Sequence, residues 1–101
     1  MSMITAEQAK NMRSGINIEG TIERKGESRT VNMKSGGTID VCDAFLVDAE
    51  GGEIKFTLWG DDIAKVNNGD KVRIKNGYTN TFKGEVSLAK GKYGEMEVNP
   101  Q

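Results

Sequence analysis

The side chains in this sequence with a chemistry of their own are aromatic rings set among cations. Trp59 ends the run Ile54-Lys55-Phe56-Thr57-Leu58-Trp59, in which apolar and polar residues alternate with period two. That alternation predicts a half-buried strand, with Ile54, Phe56 and Leu58 on the inner face and Lys55, Thr57 and Trp59 on the outer one. A large ring on the polar face either folds under a neighbouring loop or helix, or meets a partner from outside. Tyr78 and Phe82 fall within residues 71–92, which carry the bases Lys71, Arg73, Lys75, Lys83, Lys90 and Lys92 against one acid, Glu85. Residues 38–53 carry only acids, namely Asp40, Asp43, Asp48, Glu50 and Glu53. Rings interleaved with cations are what binding a single-stranded nucleic acid requires. Bases stack on the rings for ~1–3 kcal/mol each while Lys and Arg follow the phosphates. The competing readings are plain: bases on strand exteriors protect sheet edges, and Phe82 caps the end of a barrel.

Composition excludes most enzyme chemistry. The chain has no histidine and a single cysteine, Cys42. It therefore lacks an imidazole base for a Ser or Cys nucleophile, and it lacks the ligands of a zinc or iron site. Carboxylates alone would have to carry catalysis, and most of them fall in turns. A non-catalytic protein without metal or cofactor is expected. Net charge is −1, so the molecule as a whole is no polycation. Nothing approaches a membrane-spanning run or a signal peptide. The lone cysteine fits a reducing compartment. The expectation is a cytoplasmic protein associated with the nucleoid and not with membranes.

The elements that must position the rings read as one domain over residues 1–101. Residues 1–14 form an N-terminal arm or short helix, in which Thr5 and Gln8 have capping-box spacing. Strands follow at Ile16–Lys25 and Thr38–Val47, with Gly20 marking a bulge or bend in the first. Gly26–Gly37 reads as a long, polar, mobile connection. Asp48–Gly52 makes the hairpin turn into the Trp59 strand. Gly60–Val66 fits a short helix with Asp61 as its cap. A fourth strand runs from Lys71 to Lys75, with Val72 and Ile74 inward. Asn76-Gly77 breaks it, and Tyr78–Lys83 forms a separate segment. The last main strand is Glu85–Lys90. Residues 91–101 are a short tail in which Met96 and Val98 add an edge strand. Phe56 and Phe45 are assigned to the core, although the alternation breaks near Asp43-Ala44 and leaves the direction of Phe45 open. Tyr93 in the tail is open between the two roles. Five strands with a short helix between the third and fourth predict an all-β fold, a five-stranded Greek-key barrel of the OB type.

Three runs, Phe56-Thr57-Leu58-Trp59-Gly60, Asn68-Gly69-Asp70-Lys71-Val72 and Asn76–Gly84, together resemble the archaeal single-stranded DNA-binding proteins. These are single-OB relatives of replication protein A and of the small single-OB proteins of eukaryotic DNA repair. The resemblance covers roughly residues 5–95. It implies that Trp59, Tyr78 and Phe82 are the base-stacking residues, that Lys83 contacts phosphate, and that the first long loop closes over the strand and brings Arg29 and Val31 with it. Lys34 depends on the same closure. Ala89 stands where some relatives carry another aromatic residue in the last strand. Many relatives also extend into a tail that recruits partners, and this sequence ends at Gln101.

From their places on strand exteriors, Lys55, Arg73 and Lys75 are expected to share the face of Trp59 and to contact the nucleic-acid backbone. The expected function is binding of single-stranded DNA with little sequence preference, protecting it in replication, recombination and repair alongside proteins of those processes. The chain is expected to be a monomer or weak oligomer. Two readings stand beside it: an RNA-binding OB module, since rings stack either polymer, and a structural subunit using the same face for a protein partner.

Overall fold

The computed structural model describes residues 4–91 and 94–99, apart from the side chain of Phe82. The chain opens with α1 (Ala6–Ala9), whose capping box is the one that the Thr5 and Gln8 spacing predicts. The Gln8 amide donates to Thr5 Oγ1 at 3.2 Å, and the Thr5 amide donates to Gln8 Oε1 at 2.9 Å. In β1 (Ile16–Glu23) every second residue, Ile16, Ile18, Gly20 and Ile22, is buried. A Cβ at Gly20 would lie 2.5 Å from the Val47 carbonyl oxygen. Only glycine fits that approach, where β1 passes from one neighbour to another.

The connection from Gly26 to Gly37 departs from expectation. Arg29–Asn32 form β2, paired antiparallel with the start of β3 (Thr38–Val47) through Arg29–Val41 and Val31–Ile39. The short alternating run Arg-Thr-Val-Asn suits a strand, and Gly36 and Gly37, both at positive φ, make the turn that folds it back. β3 then runs into β4 (Glu53–Trp59) around the Asp48–Gly52 turn. After β4 comes α2 (Asp62–Lys65). Its predicted cap, Asp61, makes no side-chain hydrogen bond to the helix. Instead the far end is held, because Lys25 Nζ donates to the carbonyls of Ile63 at 2.6 Å and Val66 at 2.7 Å.

The second correction concerns β5 (Lys71–Phe82), one strand of 12 residues where two segments are predicted. Asn76-Gly77 does not end it. Ile18 pairs with Ile74 and Ile16 with Gly77, so one extra residue sits on β5, and Asn76 adopts a φ of 56° there. This is a bulge, and it reverses which residues face inward. Before it Val72 and Ile74 are buried; after it Gly77 is buried and Tyr78 is exposed. β6 (Glu85–Ala89) and β7 (Glu95–Val98) complete the set, β7 being the edge strand expected from Met96 and Val98.

Five of the strands pair in a closed ring, β1–β3–β4–β6–β5 and back to β1, with β4 and β6 parallel and the other neighbours antiparallel. Inside it Phe56 packs with Ile16, Ile18, Ile22, Leu46, Ile54, Leu58, Val72, Ile74 and Leu88, together with Ala6 and Ala9 of α1 and Val66 after α2. Among the described residues no helix is long and apolar enough to cross a membrane.

One carboxylate ties α1 to the ring. Asp48 Oδ2 accepts from the Ala6 amide at 2.7 Å, and Oδ1 accepts from the amides of Glu50 and Gly52, both at 2.9 Å. These amides, Ala6 first, hold the Asp48 carboxyl below its ordinary value, because they bond the charged form. A lowered folded pKa means stability that is complete above the unfolded value and lost as pH falls through the folded one. Asp48→Ala is therefore expected to cost about 2 kcal/mol in urea unfolding at pH 7. The gap from the parent should close as the acid range is entered.

Candidate nucleic-acid interface

β4 alternates as predicted, so Ile54, Phe56 and Leu58 are buried while Lys55, Thr57 and Trp59 face out. Cross-strand register extends this outer face into rows. The first runs from Arg29 on β2 through Val41 on β3 to Trp59 on β4. The second joins Asp43, Thr57, Ala89 and Tyr78 across β3, β4, β6 and β5. The third joins Phe45, Lys55, Ser87 and Asn80 across the same strands. Val41 and Ala89, on these rows, are buried although they lie outside the main core cluster.

Trp59 and Tyr78 are 41% and 38% exposed, high values for large rings. Together with Ile39, Thr57, Lys90 and Gly91 they line a groove of about 400 Å³. Ring and backbone fit closely at one wall. A Cβ at Gly91, whose φ is +77°, would lie 2.7 Å from Cδ1 and Cε1 of Tyr78. Glycine there lets the tyrosine ring rest on the main chain, with one side left to the groove.

The cations on this face are matched by acids. Asp43 accepts from Arg29 Nη1 at 3.1 Å and from Thr57 Oγ1 at 3.3 Å, and its Oδ2 stands 3.6 Å from Lys55 Nζ. Lys55 also donates to Glu85 Oε1 at 3.0 Å. The Glu85 hydrogen bond, followed by the charge of Asp43, raises the Lys55 pKa. At the groove itself Lys90 pairs with Asp62 at 3.2 Å. Asp43 of the acidic segment thus meets Arg29 and Lys55, and Lys90 of the basic segment meets Asp62, so this face is nearer neutral than the sequence suggests.

Of the residues singled out from sequence, the structure gathers Trp59, Tyr78, Lys55, Arg29 and Val31 on or beside one face. Lys34 is exposed in the turn of the β2–β3 hairpin, and Lys83 is exposed between β5 and β6. Phe82 pairs with Glu85 through the backbone, at the end of the same β5 segment as Tyr78; its side chain lies outside the described residues, as does Tyr93. Arg73 and Lys75 do not share the face of Trp59, contrary to expectation. They stand before the bulge, where β5 pairs with β1 and β7. There Arg73 donates Nε and Nη2 to Glu19 Oε2 at 3.0 and 2.8 Å, with Lys71 3.4 Å from Glu19 Oε1, and Lys75 pairs with Glu97 at 3.1 Å. Arg73 foremost, with Lys71, holds the Glu19 carboxyl below its usual range.

Phe45, assigned to the core with its direction left open, is a further departure. It is half-buried and faces out beside Lys55, not into the core. Counting back from the Asp48–Gly52 turn reveals this, since the turn sets Val47 against Glu53 and hence Phe45 against Lys55. Asp43 is found by the same count. Among the described residues no group of three or more His, Cys, Asp or Glu side chains is placed to hold a metal ion.

Residues 6–98 match the family described as single-stranded DNA binding protein Ssb-like, OB fold. A curated relative, the single-stranded DNA binding protein Ssb of Saccharolobus solfataricus, is 33% identical over 81 residues. That stretch is 80% of this chain and 53% of the relative, so the chain spans about half the length of the curated protein it matches. The OB domain of a Thermoplasma acidophilum protein superposes with a TM-score of 0.77 at 19% identity, covering 94% of this chain and 84% of that one. The replication factor A related protein of Methanobacterium thermoautotrophicum gives 0.68 at 21% identity, covering 96% and 90%. These likenesses give the closed ring of strands its name, the OB fold. The chain belongs to the Ssb-like family of OB-fold single-stranded DNA-binding proteins.

Proposed function

We propose that this chain binds single-stranded DNA without catalysing its change, by stacking bases on Trp59, Tyr78 and Phe82. The observation that carries the reading is the groove between Trp59 and Tyr78, two exposed rings from different strands on one outer face. Family membership supports the polymer. A ring offers its face to any base, so the preference for sequence is low. The sugar–phosphate chain runs past Lys83 and past Arg29, Val31 and Lys34 of the β2–β3 hairpin. Lys55 joins when a phosphate replaces Glu85 or Asp43 as its partner. Arg73 and Lys75, on the β1 and β7 side, stay out of this path. Such binding shields exposed single strands of the nucleoid during replication, recombination and repair.

Two expectations test the reading. Saturating oligo(dT) should quench Trp59 fluorescence. Trp59→Ala and Tyr78→Ala should each weaken binding by ~1–3 kcal/mol, roughly five- to 150-fold. Both side chains are exposed, so the folded state survives the change. Unchanged emission together with no complex in a gel would sink the proposal, and oligo(U) winning a direct competition would assign the groove to RNA.

The second concerns charge. Because Arg29 and Lys55 already have a carboxylate partner, wild-type binding should depend only weakly on salt. Asp43→Asn releases Arg29 toward phosphate and leaves Lys55 held by Glu85 alone. Affinity for oligo(dT) at low salt is expected to rise, and log K should fall more steeply with salt, by about 0.7 per decade for each base freed. A weakened complex would instead make Asp43 an acceptor for base amino groups.

A further inference from the structure

We propose that Phe45 is an additional nucleobase platform, covered in the free protein by Arg24. The inference rests on the reading of this face as a single-stranded DNA interface, and it adds a subsite to that interface. Phe45 stands two rows from Trp59. It is four residues along β3 from Val41, the partner of Trp59, roughly 13 Å at the rise of a strand. A base stacked there is therefore a different one from the base on Trp59.

Three observations converge on the ring. Its face is directed outward, in register with Lys55 and on the same strand as Asp43, although an apolar ring of this size gains more from the core. Beside it lies a cavity of about 300 Å³, lined by Phe45, Lys55, Glu53, Glu85, Gly84 and Val86, where a planar group has room to enter. Over it lies the guanidinium of Arg24, with Cζ 4.3 Å from the ring centroid.

Arg24 is a cover that can leave. Its φ of 53° is an uncommon backbone conformation for a residue with a side chain, and it sits just past the end of β1. Its guanidinium also bonds the exposed carboxylate of Glu53. With Cζ at 4.3 Å no base fits between guanidinium and ring, so the two compete for the same surface. A cation over an exposed ring is a weaker contact than a stacked base, so exchange favours the base. Once displaced, the guanidinium remains at the rim, where it can stack on the incoming base or bond its phosphate. Arg24 thus keeps an apolar ring out of water until a strand arrives.

A fluorescent reporter at position 45 tests this directly. The double variant Phe45→Trp, Trp59→Phe retains a ring at both positions and moves the only tryptophan emission to the proposed platform. Titration with a 12-nucleotide oligo(dT) should quench it. In the parent background Phe45→Leu, which keeps apolar volume but not the ring, should weaken binding of the same oligonucleotide about fivefold or more, while Phe45→Tyr stays within twofold. Emission at position 45 that is unchanged at saturation overturns the proposal, whatever Phe45→Leu does to affinity, since a fall in affinity alone would then reflect packing. Parent Trp59 quenching in the parallel titration separates the two readings. If it persists while position 45 is silent, only the added platform fails. If neither quenches, the interface itself is misassigned.

Discussion

A strand has two edges, and β5 serves three neighbours along its length, two of which, β1 and β6, close the ring. Residues 71–77 pair with β1, residues 72–75 also with β7, and residues 78–82 with β6. The changeover is made by one extra residue at Asn76, and its consequence is a reversal of parity. Without it Tyr78 would follow Val72 and Ile74 into the core. With it the tyrosine comes out beside Trp59, while Arg73 and Lys75, ahead of the bulge, lie on the side of Glu19 and Glu97. The composition of the outer face is decided by that bulge more than by any side chain on it.

The charge pattern carries a related lesson. Along the chain the acids and bases are segregated, which suggests a cationic surface. In the fold they are interleaved, because antiparallel and parallel pairing bring the acidic β3 and the Glu85 of β6 alongside Lys55. Ion pairs at exposed positions contribute little stability, so these bonds do not exist to hold the ring together. Their effect is to leave the rings as the dominant feature of the face.

How much of this was legible depended on the regularity of each segment. β4 could be read residue by residue, since six of its seven residues alternate strictly and the turn before it is rich in glycine. The capping box of α1 was legible because it is local, with both partners three residues apart. β5 was not, because Asn-Gly within a strand pattern looks the same whether it ends a strand or bulges one. The Arg73–Glu19 pair joins residues 54 apart, and no local pattern announces it. The direction of Phe45 was not legible for another reason: hydrophobicity indicates that a ring is sheltered but not by what, and here the shelter is an arginine.

The two strands that carry the groove's rings belong to different hairpins, β3–β4 and β5–β6. β3 and β4 are joined by a five-residue turn organised by Asp48, a short loop whose closure costs little entropy. Trp59, Phe45 and Lys55 can therefore find their register early, from local pairing alone. Tyr78 takes its register in a second hairpin, β5–β6, whose tight turn sets Phe82 against Glu85; the closures between distant parts of the chain, intrinsically slower, are β1–β5 and β4–β6. The groove lies where β4 and β6 pair and bring the two hairpins together. A ligand that spans both rings bridges the two hairpins across the β4–β6 seam, so its binding adds to the free energy that keeps the ring shut.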